Sequence, residues 1–147
     1  MSAGPAPGVS PESMVLDLEW LGDDRVRGRA GDVEIVMDSP PVAGPSPVQT
    51  LAFALAGCMA MDVVHVLRKG RHDLRGLTVG LVAGRAEEEP RRFTSATLQF
   101  TVTGNVPPEP IQRAIDLSRD KYCSVWNSLR QDIELTVTFR VVAGTPN

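Results

Sequence analysis

Excess positive charge is missing from this chain: 15 Lys and Arg stand against 18 Asp and Glu, for a net charge of -3. A nucleic-acid partner normally needs a basic patch, so that class of function is set aside. An apolar run long enough to cross a bilayer is missing too. The stretch Leu51 to Met61 gives 11 such residues before Asp62 interrupts it, and a span needs roughly 20. It reads as a buried core helix, and no membrane association is expected. There is also no basic N-terminal segment followed by an apolar stretch of the secretory kind. Residues 1–13 are small, proline-rich and uncharged until Glu12, and read as a disordered leader. A cytoplasmic location is the expectation.

Cysteine is scarce: Cys58 and Cys123 are the only two. In a chain with no export signal thiols stay reduced, so a permanent structural disulfide is the less expected use and a transient bond stays open. The 64 residues between the cysteines, with histidine only at His65 and His72, match no recognised zinc-ligand spacing, and no metal is expected.

What the chain does have is enough length for one core. At 147 residues, 42% hydrophobic and 22% charged, it falls in the ordinary globular range. Residues 14–143 are expected to form a single domain and residues 144–147 a flexible tail. From Met14 to Met37 short apolar bursts are separated by Gly-Asp clusters such as Gly22-Asp23-Asp24, the pattern of two or three antiparallel strands. Asp38 to Pro47 holds four prolines and is a loop. Ser46-Pro47 is an N-cap followed by proline at the first helical position, so a helix is expected from there to Lys69, ended by Gly70.

Two strands follow, 77–86 and 92–103, joined by an exposed polar tip at 87–91. The second alternates at Phe93, Ala96, Leu98, Phe100 and Val102 with one break. A helix over 111–117 presents Ile111, Ala114, Ile115 and Ser118 on one face, a short helical turn spans 123–129, and a last strand spans 133–142. This order gives an α+β domain. The long helix is apolar on nearly every side until Asp62, more than one sheet face can cover in so small a domain. A second subunit is predicted to cover the rest.

Cys58, Asp62 and His65 lie at i, i+4 and i+7 and share a helix face. Cys58 reads either as a small buried hydrophobe or as a reactive thiol. Asp120 is a candidate cap that would place Cys123 in the first turn of a helix, where unpaired N–H groups, the helix dipole and Lys121 favour a thiolate; a buried, inert thiol is the competing reading. A charged Asp62 would raise a neighbouring thiol's pKa, so it is expected to bond backbone and keep away from the sulfur. His65 is either a base or a satisfied core histidine, and His72 is expected at the surface.

Ser46-Pro47, the helical Ala56-Gly57-Cys58, Asp62-Val63-Val64 and Leu67-Arg68-Lys69-Gly70-Arg71 together resemble the first cysteine motif of the OsmC/Ohr family, named for osmotic induction and organic hydroperoxide resistance. Residues 114–125, Ala-Ile-Asp-Leu-Ser-Arg-Asp-Lys-Tyr-Cys-Ser-Val, are similar to the second. The resemblance runs from about Met14 to Val142 and is strongest to the YhfA-type branch of small OsmC-like proteins. It implies a curved antiparallel sheet wrapped around a long central helix, in an intertwined homodimer. It also implies a peroxidase without cofactor, in which Cys58 is peroxidatic and Cys123 resolving, organic hydroperoxides are the substrates, and an external lipoyl-type dithiol is the reductant.

In the family's peroxidases a glutamate directly follows the proline that opens the helix, and an arginine from the first hairpin pairs with it. Here Val48 and Gln49 follow Pro47, so that acid is missing. Arg25, Arg27, Gln49 and Asp62 are the candidates for supporting a Cys58 thiolate, with Arg29 a further cation in the same region; solvated outward charges are the simpler reading of the arginines. Leu51, Phe53, Leu55 and Met59 are expected to wall an apolar substrate pocket suited to alkyl or fatty-acid peroxides. Two other functions compete: a redox sensor or apolar-ligand binder on the same fold, and a structural dimer with inert thiols.

Overall fold

The computed structural model describes residues 12–144. Residues 1–11 and 145–147, which hold most of the expected leader and tail, lie outside the described residues. The described chain clusters into two compact units that meet at residues 50 and 51.

The first unit is a meander. Strands β1 (Asp17–Gly22), β2 (Arg25–Ala30) and β3 (Val33–Asp38) pair in sequence order, each antiparallel to the next. The Gly-Asp clusters make the turns, as the sequence predicts. Cross-strand charges lace the meander: Arg27 pairs with Glu34 at 2.8 Å and Glu19 at 3.6 Å, and Arg29 with Glu34 at 3.3 Å. Asp38, buried at the end of β3, accepts from Arg25 at 3.1 Å and from the Ala43 N–H at 3.0 Å. That carboxylate ties the proline-rich loop back to the sheet. The Ala43 and Arg25 bonds hold its pKa below the usual carboxylate value against the cost of desolvation.

Helix α1 spans Pro47–Lys69. Its start is a reciprocal capping box: the Gln49 N–H donates to Ser46 Oγ at 3.1 Å, and the Ser46 N–H donates to Gln49 Oε1 at 3.0 Å. Two donors that a helix start leaves orphaned are thereby satisfied.

The second unit carries the core. Strands β4 (Asp73–Arg85) and β5 (Phe93–Asn105) form a long antiparallel hairpin, and β6 (Glu134–Val142) pairs with β5 in parallel. The second sheet is therefore mixed, where an all-antiparallel sheet was expected. A parallel partner needs a crossover of a dozen or more residues, and the helical segment between β5 and β6 supplies it. Helix α2 (Pro108–Leu117) opens that crossover, followed by a π-helical turn (Ser118–Tyr122) and the short α3 (Ser124–Asn127).

The break in the β5 alternation has a cause. Gly84 pairs with Ser95 and Arg85 with Phe93, so Thr94 is an extra residue in the ladder. One inserted residue shifts the pleat by one, and the inward set moves from Phe93 to Ala96, Leu98, Phe100 and Val102. At the other end of β5, Gly104 sits at φ +134, where a Cβ would also collide with the Asp73 carbonyl.

Leu55, Met59, Val63 and Leu67 of α1 join these strand residues and Ile111, Ala114 and Ile115 of α2 in one buried cluster. That stripe is only one side of α1. Phe53 remains 69% exposed and Met61 74%. Taken over its whole length, and not just the 11-residue apolar run, α1 is long and apolar enough to pass for a membrane span, which corrects the sequence reading; its stripe of Leu55, Met59, Val63 and Leu67 is nonetheless buried in the core.

Candidate active site

Cys58 lies mid-helix in α1, half-buried at the edge of the core. Asp62, one turn further on, accepts a hydrogen bond from the buried hydroxyl of Ser118, Oγ to Oδ2 at 2.8 Å. Ser118 opens the π-helical turn, and the Cys123 N–H closes that turn on the Ser118 carbonyl at 2.7 Å. In α geometry five residues at about 100° each would swing Cys123 about 140° away from Ser118. The wider turn brings both residues to the α1 side of the crossover.

Cys123 is fully buried, and its sulfur accepts from the Trp126 N–H at 3.3 Å. The side-chain sulfur thus caps α3, and the Cys123 carbonyl accepts from the Asn127 backbone at 3.0 Å and side chain at 2.9 Å. The two sulfurs and a carboxylate oxygen of Asp62 all lie within 4.8 Å of one another. The fold therefore brings together the only two cysteines of the chain.

Burial pushes the Cys123 thiol up to about 11; the Trp126 N–H opposes this in part, while the Cys58 sulfur and Asp62 add to it. Cys123 is a protonated thiol at neutral pH. Of the two readings left open by the sequence, a thiolate in a helix turn capped by Asp120 and a buried thiol, the structure favours the second. Asp120 is exposed within the π-helical turn and Cys123 is itself the cap. Asp62 also departs from expectation: its partner is the Ser118 side chain, and it stands close to both sulfurs.

The other anticipated residues have their own local settings. Gln49 is held in the capping box. Arg25 pairs with Asp38, and Arg27 and Arg29 with glutamates of their own meander. Leu55 and Met59 are buried in the core; Leu51, one turn before Leu55 on the same face, is partly exposed at the start of α1, and Phe53 points away from that face and is exposed. His65 is exposed and not a core residue, and His72 is half-buried and not at the open surface. Both line a cleft of about 800 Å³ beside α1 and α2, together with Asp62, Lys69, Arg113 and Tyr122. Ser118 is the site residue that sequence reasoning passed over. The signal was a hydroxyl on the apolar stripe of α2, a position that requires a buried partner.

The family model described as OsmC-like protein matches residues 38–138. Protein YhfA of Escherichia coli K12 is 44% identical over 131 residues, covering 88% of this chain and 94% of that protein. The chain belongs to the OsmC-like family. Solved structures carry the same fold. A hypothetical protein from Aquifex aeolicus superposes with a TM-score of 0.84 at 23% identity, covering 91% of this chain and 99% of the other. An organic hydroperoxide resistance protein OsmC from Legionella pneumophila gives 0.67 at 14% identity, covering 90% and 99%. At these identities the structural likeness speaks for the OsmC-like architecture alone.

Proposed function

We propose that this OsmC-like protein is a thiol-dependent peroxidase that reduces organic hydroperoxides through Cys58 and Cys123. The observation that carries the reading is the convergence of the two sulfurs within 4.8 Å from positions 64 residues apart, one thiol half-exposed and the other fully buried. Exposure divides the roles. The Cys58 thiolate attacks the terminal peroxide oxygen, the O–O bond breaks, and the alcohol leaves after taking a proton. Cys58 is then a sulfenic acid. Cys123 gives up its proton, its sulfur bonds to Cys58 Sγ, and the sulfenic oxygen departs as water. An external dithiol, of the lipoyl type that the family implies, reduces the disulfide by exchange. Relatives named for organic hydroperoxide resistance support this direction.

Of the expected apolar wall, Leu51 and Phe53 stay exposed and available to an alkyl chain. The uncovered side of α1 and the exposed Leu18 and Trp20 of β1 support an intertwined homodimer, the second copy supplying the missing cover. A second reading, a redox sensor or apolar-ligand binder with little turnover, is favoured by one feature. No acidic residue stands in the first turn of α1, and Gln49 there is committed to the helix cap.

A single-turnover assay separates the two. Reduced protein is mixed with cumene hydroperoxide, quenched, and its sulfur products are identified by mass spectrometry in wild type, Cys58→Ser and Cys123→Ser. A peroxidase gives a rapid Cys58–Cys123 disulfide in wild type and a Cys58 sulfenic acid in Cys123→Ser. Free thiols persisting under excess peroxide would sink the reading in favour of the binder.

A further inference from the structure

We propose that Cys58, Asp62 and Cys123 form a binding site for zinc(II), and that zinc and peroxide compete for the same reduced dithiol. Along the chain these residues match no zinc motif, because Cys123 arrives from a different element. In space they offer two sulfurs and one carboxylate oxygen within 4.8 Å of one another. A tetrahedral ion at about 2.3 Å from sulfur holds its thiolates about 3.8 Å apart. Closing the cluster on a metal therefore takes a shift of about 1 Å at most, less than is needed to reach the ~2.05 Å of a disulfide.

The surroundings suit the ligands. Ser118 donates to Oδ2 of Asp62 at 2.8 Å and fixes the carboxylate, leaving the other oxygen unassigned, and the Trp126 N–H orients the Cys123 sulfur at 3.3 Å. Such outer hydrogen bonds are what hold metal ligands in place. The two thiolates offset the charge of the ion, the carboxylate leaves the site with one net negative charge, and the soft sulfurs favour zinc over hard cations such as magnesium. Three protein ligands leave a fourth position for water, and the half-exposed Cys58 marks the side from which ion and water enter.

Binding transfers no electrons: two S–Zn bonds form, and each sulfur that carries a proton gives it up to solvent. The Cys123 thiol, ordinarily protonated, is deprotonated by the metal. A disulfide retains no thiolate to bind with, so oxidation expels the ion. Conversely, zinc occupies the sulfur lone pair with which Cys58 attacks peroxide. The effect on turnover rests on the peroxidase reading, whereas the binding does not.

The test is an anaerobic titration of the reduced full-length protein with cobalt(II) as spectroscopic probe, followed by displacement with zinc(II). Expected is one cobalt per chain, with a thiolate-to-metal charge-transfer band, release of protons in unbuffered solution, and loss of the band on zinc addition. Asp62→Asn should bind about tenfold or more weakly, and the oxidised wild type should not bind at all. The oxidised protein keeps the wild-type sequence and serves as a control that does not depend on a variant folding. Absence of the band in reduced protein, or a band of equal strength after oxidation, overturns the site. Peroxide consumption is measured on metal-free protein and again with one equivalent of zinc, where a slowing of at least about tenfold, reversed by chelator, is expected. Protein that consumes peroxide but binds no cobalt sinks the metal site alone; protein that binds cobalt but leaves peroxide untouched sinks the peroxidase alone.

Discussion

Cys123 combines full burial with two electron-rich neighbours, the Cys58 sulfur and Asp62, and one N–H donor is its only relief. The balance favours the neutral thiol, with a folded-state pKa of about 11 against 9.0 for an unperturbed thiol. Between those values the folded protein holds a proton that the unfolded chain has lost. The stability that this contributes is fully present below about pH 9 and is lost as pH rises through 11, to a total of about 2–3 kcal/mol. Urea unfolding of the reduced protein at a series of pH values from 8 to 11 checks this. Wild type should lose stability over that window more steeply than Cys123→Ala, and parallel curves for the two would remove the buried-thiol account.

At the scale of elements, α1 starts on side-chain chemistry, and Gln49 belongs to that start. Replacing Ser46 by Ala removes the acceptor for the Gln49 N–H and should cost about 1 kcal/mol in urea unfolding. Gln49→Glu keeps the capping box and adds a negative charge to a first turn that has none, which should stabilise the helix by about 0.3–1 kcal/mol. A loss of stability in Gln49→Glu would show that the amide nitrogen, and not only the oxygen, is needed. The same variant restores an acid near the helix start, two positions after Pro47, so its peroxide kinetics bear on the missing family glutamate as well. The π-helical turn works at this scale too, since without its extra residue Ser118 and Cys123 would not both face α1.

For the whole molecule the decisive quantity is uncovered apolar surface. Phe53 and Met61 on α1, and Trp20 at 73% exposed on β1, are large side chains without cover in one copy. A three-stranded meander with its apolar side chains in water is marginal by itself. In the proposed homodimer these groups are buried against the second chain. Phe53→Asp and Met61→Asp should each shift sedimentation from dimer toward monomer, whereas a wild-type protein that sediments as a monomer at micromolar concentration would overturn the dimer.

The amino-acid sequence by itself determined the element order, the Ser46 cap, the apolar stripes of β5 and α2, and family membership through its two cysteine motifs. Those features are local: they depend on periodicity, on turn residues and on side chains acting within a few positions of themselves. It did not determine the parallel seat of β6, because strand direction is chosen by the crossover and not by the strand's own residues. Nor could it assign Asp62, whose neighbours Ser118 and Cys123 come from another element, or decide between a thiolate and a buried thiol at Cys123. A propensity cannot announce a π-helical turn that inserts one residue into a helix's phase. Whether two sulfurs 64 residues apart meet, and which of them water can reach, is a matter of tertiary packing, because proximity and burial are properties of the folded chain.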